Sequence, residues 1–330
     1  MIEDTLIVGL QPLGTSIGLA LSTGGFGQTR TGYDVDNERA RAARKSGAVE
    51  RQALNLERAT QQADLVILAV PAGEALQYLE VIVPRLKSGA LLLDLASRKN
   101  ESSAWVATNL PAGRAYIGAS LAVSPEALHA GPTADAPRAD LFRGGLLALA
   151  IPPSTPGPAV DLALALAQHL GAAPFFLDPG EIDAVLATVE DLPTLMGAAL
   201  MRVAIDTPSW REARRLAGGP FAALARTGAV QPPKLLQASL CLNQQNVLSR
   251  LDALIAELQV LRRLIADEAL HGELAARLSE AAEAHDLWLE ARMRSEWAEE
   301  ERDGVELPDR SGVVDRLLGF GLPLRPKDRR

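Results

Sequence analysis

Six residues near the N-terminus, Gly9-Leu10-Gln11-Pro12-Leu13-Gly14, have the types and the setting of a phosphate-binding turn. An apolar run over 5–10 leads into them and a helix-like stretch, 15–21, follows. A second strand-like run, 29–33, ends at Asp34, 20 residues past Gly14. Strand, glycine turn, helix, strand and acid in that order form a dinucleotide-binding unit. The helix N-terminus meets a pyrophosphate and the acid accepts from a ribose 2′-hydroxyl. Gly9, Leu10, Gln11, Pro12, Leu13, Gly14 and Asp34, with Val70 and Pro71 at the end of a later strand, are the candidate cofactor residues. Asp34 favours NAD over NADP, because a carboxylate repels a 2′-phosphate. Two residues work against binding. Gln11 stands where the middle glycine of G-x-G-x-x-G lets the backbone approach the phosphates, and Pro12 removes an N–H. A nucleotide-binding fold that has kept its shape without its ligand therefore stays open.

The elements that must position this turn alternate through the first half. Helices are expected at 37–46, 74–86, 101–109 and 158–170, and strands at 64–71, 90–95, 115–121, 146–151 and 173–178. Near-continuous apolar strands separated by helices specify α/β architecture, a Rossmann-type doubly wound sheet. After Asp178 the pattern turns helical, over 180–205, 212–216, 221–225, 234–268 and 272–299. Val247, Leu251, Leu254, Leu258, Leu261 and Ile265 step by four and three, the seam of one helix laid along another. That seam is either the core of a helical bundle or, the reading favoured here, a homodimer interface. The expected division is a dinucleotide-binding domain over 1–178, an all-α helical dimerisation and substrate domain over 179–300, and a tail over 301–330.

Composition narrows the partners. The chain has 330 residues, 48% of them hydrophobic, and a net charge of −8 without a basic patch, which argues against nucleic acid and anionic membrane surfaces. No uninterrupted apolar run approaches the ~20 residues of a membrane helix. The lone Cys241, between Leu240 and Leu242, is expected to be buried; with no second cysteine and no signal-peptide pattern, a cytoplasmic location is expected. His129, His169, His271 and His285 are scattered, so no metal site is expected. His169, beside Gly171, is placed to favour its helix C-terminus.

The ordered set Ile7-Val8-Gly9-Leu10, Ser16-Ile17-Gly18-Leu19-Ala20-Leu21, Ala63-Asp64-Leu65-Val66-Ile67-Leu68-Ala69-Val70-Pro71 and Asp94-Leu95-Ala96-Ser97-Arg98-Lys99 resembles the prephenate/arogenate dehydrogenase family. Ile117-Gly118-Ala119, Asp140-Leu141-Phe142, Leu177-Asp178-Pro179, Asp191-Leu192-Pro193, Gly218-Gly219-Pro220-Phe221, Arg226 and Asn243 continue it in order, so the resemblance runs from about residue 5 to about 292. It implies hydride transfer from the ring alcohol of prephenate or arogenate to NAD(P), with loss of carbon dioxide, in tyrosine biosynthesis. In that family a histidine accepts the hydroxyl proton, a serine assists it, and an arginine binds a substrate carboxylate.

Ser97 matches the serine and Arg226 the arginine, whereas Ser120 stands where the histidine should be. A further histidine pair is replaced by Asp191 and Thr194. Ser97 and Ser120 are thus the candidate catalytic residues, and Arg226, Thr194 and His129 the candidate substrate contacts. A serine hydroxyl is not a base near neutral pH, so general-base help worth roughly 10²–10⁴-fold is expected to be missing and turnover slow. His129, in a loop nine residues after Ser120, is the first substitute to consider. The alternative is a non-catalytic dimeric homologue that senses a ligand or binds a partner.

Overall fold

The computed structural model describes residues 2–96, 98–129, 136–229 and 232–294. Eight strands form one sheet: β1 Asp4–Val8, β2 Thr29–Tyr33, β3 Arg51–Gln52, β4 Leu65–Leu68, β5 Leu91–Asp94, β6 Ala115–Ala122, β7 Leu146–Ala150 and β8 Ala173–Phe176. Their spatial order is β3-β2-β1-β4-β5-β6-β7-β8. Every neighbouring pair is parallel except β6 with β7. The order reverses between β1 and β4, so their carboxyl ends open the crevice where doubly wound sheets bind ligands.

The strands are apolar throughout because helices cover both faces. On one face Ile7, Ile67, Leu93 and Ile117 pack with Ile17 and Leu21 of α1 (Pro12–Leu21) and with Ala163 and Ala167 of α6 (Gly157–Leu170). On the other, Leu6, Val8, Val66, Leu68 and Leu92 meet Leu56 of α3 (Leu56–Gln62), Leu79 and Ile82 of α4 (Ala75–Ile82), and Val106 of α5 (Lys99–Asn109). The remaining crossover helix is α2, Asn37–Lys45. Neither β3 nor α3 is visible in the sequence pattern. Two polar residues paired at a sheet edge carry no periodicity.

Beyond β8 the described residues form helices: α7 Pro179–Leu186, α8 Leu192–Ile205, α9 Trp210–Leu216, α10 Gly219–Thr227, α11 Pro233–Leu242, α12 Gln244–Ala266 and α13 His271–Arg294. α7 and α8 run together through a π-helical turn, Ala187–Asp191. The whole stretch Pro179–Ile205 is long and apolar enough, by length and composition, to cross a membrane. It also carries Glu181, Asp183, Glu190 and Asp191, and Asp183 and Asp191 are buried against the sheet domain. The helix expected over 234–268 is two helices, broken at Asn243, whose φ of −114° and ψ of 27° leave the helical region. Cys241 is exposed, contrary to expectation, because α11 turns that face outward. Within the seam Val247 is buried, Leu251, Leu254 and Leu261 are half-buried, and Leu258 and Ile265 are open in the single chain.

Packing explains which glycines of the turn are kept. A Cβ on Gly14 would lie 1.9 Å from the Gly9 carbonyl oxygen, and one on Gly9, at φ +89°, would lie 2.4 Å from the Ala69 oxygen. Both are demanded by the contact of α1 with β1 and β4, whatever binds above them. Gly14→Ala is therefore expected to destabilise by about 1–3 kcal/mol or more, as overpacking does. The check is a urea unfolding midpoint measured without nucleotide.

Candidate active-site cleft

The glycine turn and Asp34 are joined directly. Asp34, buried at the end of β2, accepts from Leu10 N (2.8 Å) and Asp36 N (2.8 Å), and Arg39 Nε lies 3.5 Å from its Oδ1. Asp36, not Asp34, caps α2 by accepting from Glu38 N. Gln11 is the N-cap of α1 in an extended conformation any residue adopts (φ −65°, ψ 176°), and Pro12 takes the first helical position. Leu13 continues that first turn, and Val70 lies against Gly9, 3.0 Å from where its Cβ would be. Pro71 caps the short 3₁₀ turn after β4. Beside Asp34 a cavity of about 510 Å³ opens between Tyr33, Val35, Leu54, Glu74 and Tyr78. Burial and the nearby Glu74 push the Tyr78 hydroxyl up to about 12, so it is a neutral donor there. No sequence signal marked this cavity, because its walls come from three separate segments.

The second half of the cleft is built on the N-terminus of α5. Ser97, two residues before it, lies outside the described residues. Arg98 holds the N-cap position without capping α5. Asp183 of α7 does that instead, accepting from Lys99 N (2.7 Å) and Asn100 N (3.0 Å). Arg98 in return reaches into the helical half, donating from Nε to the Ser239 carbonyl (3.1 Å) and from Nη2 to Asp191 Oδ1 (2.5 Å). Asn243, at the break between α11 and α12, donates to the Asp183 carbonyl (2.8 Å) and to Asp191 Oδ2 (3.4 Å). Burial pushes the Asp191 carboxyl up, against the pull of Arg98 and Asn243.

Lys99 runs beneath this surface, fully buried, and donates to the Asp94 carbonyl (2.8 Å) and the Ala96 carbonyl, with Asp94 Oδ1 3.7 Å away. Burial holds its ammonium below the usual lysine range despite the Asp94 charge. Tyr116 donates to Asp94 Oδ2 at 2.9 Å. Lys99 thereby fixes the carbonyls on either side of Leu95. Gly118 leaves room for this side chain, since a Cβ there would lie 3.1 Å from Lys99 Cδ.

Strand alternation aims Ser120. It lies two residues beyond Gly118, on the same face of β6, opposite Ala148 of β7. Ala148 packs in the cluster of Ile182 and Leu186 from α7, so Ser120 is on the face the helical half covers, half-buried. Thr194 is half-buried in the first turn of α8 and donates to the Glu190 carbonyl (2.8 Å). Arg226 is exposed near the end of α10, which meets α8 where Gly228 approaches Ala198. His129 ends the 3₁₀ turn Pro125–His129, and its side chain lies outside the described residues. His169 sits at the opposite end of the sheet, against the Ala20 carbonyl of α1 (3.2 Å) and Phe26, and takes no part in the cleft.

Glu190, in the π-helical turn, escaped the sequence reading. Its side chain is exposed at the surface, with protein packed around it. That crowding raises its carboxyl, Arg98 and Lys99 pull it down, and Asp191 pushes it up again. Only the π-turn, a local feature often seen at functional sites, could have pointed to it, and its period is too short to read from sequence.

A classical doubly wound sheet with a ligand crevice at its switch point, closed over by a helical half, defines a two-domain nucleotide-binding protein of the dehydrogenase type. Residues 17–174 match the prephenate dehydrogenase nucleotide-binding domain and residues 178–280 the prephenate dehydrogenase dimerization domain. The chain belongs to the prephenate dehydrogenase family. It is 24% identical to the prephenate dehydrogenase of Bacillus subtilis over 97% of this chain and 85% of that one. It is 27% identical to the cyclohexadienyl dehydrogenase of Zymomonas mobilis over 79% of this chain and 88% of that one. Among solved structures it superposes on prephenate dehydrogenase from A. aeolicus in complex with hydroxyphenyl propionate and NAD+. The TM-score is 0.75 at 22% identity, covering 86% of this chain and 98% of that one. Arogenate dehydrogenase from Synechocystis gives a TM-score of 0.66 at 23% identity, covering 86% and 99%.

The Arg98–Asp191 pair sets a stability test. Arg98→Met or Asp191→Leu alone leaves a buried uncompensated charge and is expected to cost about 3–5 kcal/mol, while the double variant recovers most of the loss. A double-mutant cycle by urea denaturation measures the coupling.

Proposed function

We propose that this chain is an NAD-dependent dehydrogenase that oxidises the ring alcohol of prephenate or arogenate with loss of carbon dioxide, as a cytoplasmic homodimer. The observation that carries this reading is the line of groups along the carboxyl edge of the sheet. It runs from the cavity at Asp34, over the glycine turn, to the α5 N-terminus and Ser120 under the helical half.

The residues fit the cofactor at its nucleoside side. The cavity beside Asp34 suits a nucleoside, Asp34 has lone pairs left for a ribose hydroxyl, and the α1 N-terminus offers a positive dipole end to a pyrophosphate. In the middle Gln11 supplies a side chain, and Pro12 no donor, where the phosphates pass. Bound NAD supplies the hydride acceptor. The chain's own part is to hold the ring alcohol beside Ser120, to exclude water with the helical half, and to receive the substrate carboxylates on cations such as Arg226. An accessible base must also take the hydroxyl proton, and Ser120 cannot serve.

One observation favours the second reading, a non-catalytic ligand-sensing dimer. The glycines retained are those the fold needs, and the one replaced, at Gln11, is the one only a ligand would miss. Titration with NAD, NADH, NADP and NADPH, followed by turnover assays with prephenate and arogenate, separates the two. NAD binding tighter than NADP, with slow release of NADH absorbance on substrate addition, is the expected result; no nucleotide binding leaves only the sensing reading. Gln11→Gly with Pro12→Leu is expected to tighten NAD binding before it changes the turnover number, as fluorescence titration beside initial rates would show.

Assembly has its own test. Leu248, Ile255, Leu258 and Ile265 of α12 and Leu278, Leu287 and Trp288 of α13 are exposed in the single chain. These surfaces are expected to meet in a dimer burying more than the ~1,200 Å² of a stable interface. Light scattering should give twice the 35.0 kDa chain mass; a monomer at micromolar concentration would remove the homodimer from the proposal.

A further inference from the structure

We propose that Glu74 and Tyr78 read the base of the dinucleotide, so that this chain selects an adenine bearing its 6-amino group and rejects the 6-oxo base hypoxanthine. The inference rests on the cofactor reading of the cavity beside Asp34 given above. Its walls are of two kinds. Val35 and Leu54 are apolar and stand 66% and 85% exposed in the chain as it is. Large apolar side chains left open to water on the wall of one cavity are suited to cover a planar ring.

The polar wall decides which ring. Most of its groups are already committed. Asn55 caps α3, its side-chain oxygen accepting from Arg58 N (2.8 Å), and Glu57 is paired with Arg85 (2.8 Å). Gln77 is open to solvent, and an amide can turn either its oxygen or its NH₂ to a ligand, so it discriminates nothing by itself. Glu74 and Tyr78 differ. Glu74 ends the 3₁₀ turn after β4 and occupies the N-cap position of α4, and Tyr78 follows four residues on, one turn along the same face. Among the described residues neither side chain makes a hydrogen bond or ion pair. The Tyr78 ring packs on the core beneath this face, which fixes where its hydroxyl stands. Burial and the Glu74 charge keep that hydroxyl protonated.

Side by side, a carboxylate that only accepts and a phenol that donates form a two-point reader. Adenine carries the complement on one edge, since its 6-amino group donates and its ring nitrogen N1 accepts. Hypoxanthine reverses both. Its 6-oxygen would meet the Glu74 carboxylate lone pair to lone pair, and its N1 carries a hydrogen. Ribose, pyrophosphate, nicotinamide and net charge are the same in the two dinucleotides, so only the base edge separates them.

The test compares NADH with reduced nicotinamide hypoxanthine dinucleotide, each titrated at pH 7 into the full-length protein and followed by nicotinamide fluorescence. Wild type is expected to bind NADH roughly 10–100-fold more tightly, the range of one hydrogen bond to a charged group. Glu74→Gln should bring the ratio close to one, because its amide can donate to the 6-oxygen. The ratio is the readout, since removing a negative charge shifts both affinities alike. Tyr78→Phe should weaken NADH more than the analogue. Glu57→Gln, on the same wall but held by Arg85, should keep the wild-type ratio, with melting temperatures showing each variant folded. Equal binding of the two dinucleotides by wild type overturns the assignment, as does a ratio that survives Glu74→Gln or falls equally in Glu57→Gln. In each of those cases NADH still binds and the cofactor reading stands. A wild type that binds neither dinucleotide overturns both.

Discussion

The N-terminus of one helix, α5, is the constraint on which the rest of this molecule depends. A helix start leaves backbone donors without partners, and the cap position here is filled by Arg98, which cannot accept. The donors are satisfied from the other half of the chain, by Asp183, and the arginine is satisfied there too, by Asp191 and Ser239. Neither half is complete alone. Removing water from these charges is affordable only with the two halves docked, so local helix chemistry fixes the interdomain geometry. α11 against Gly73 and Arg292 donating to the Val123 carbonyl (2.6 Å) pin two further points along the same edge of the sheet.

The fold was legible because its signals are repetitive. Four-residue runs such as Leu65–Leu68 and Leu91–Asp94 are buried on both faces, and burial of that kind leaves little choice of residue type. What stayed hidden depends on single residues acting across long sequence distances. Asn243 breaks an otherwise continuous apolar periodicity in order to reach Asp183 and Asp191, 60 and 52 residues away. Helical pattern alone reads through that point. The partner of Arg98 lies 93 residues on, and no local rule connects them.

The candidate site was legible only in part, for a related reason. Gly9, Gly14 and Asp34 could be found because the fold itself asks for them, the glycines by close packing and Asp34 by its bond to Leu10 N. Ser120 could be placed on a face by counting along β6 from Gly118. Glu190 could not, since nothing in Thr-Val-Glu-Asp-Leu-Pro announces a π-helical turn. Asp191 ends that turn and pairs with Arg98 at the start of α5, and Thr194 follows it in the first turn of α8.

The edges of the sheet carry a consequence of a different kind. β8 is an outer strand with Phe175 and Phe176 exposed, a surface on which another chain could add a strand. Ala173 N and Leu177 N point inward, to the Gly145 and Leu149 carbonyls, so the residues between them at even numbers face outward. Pro174 is one of these, and its ring removes half of the outward donors of β8. At the far edge β3 is only two residues long. Each edge of the sheet thus offers few backbone donors to a strand of another chain.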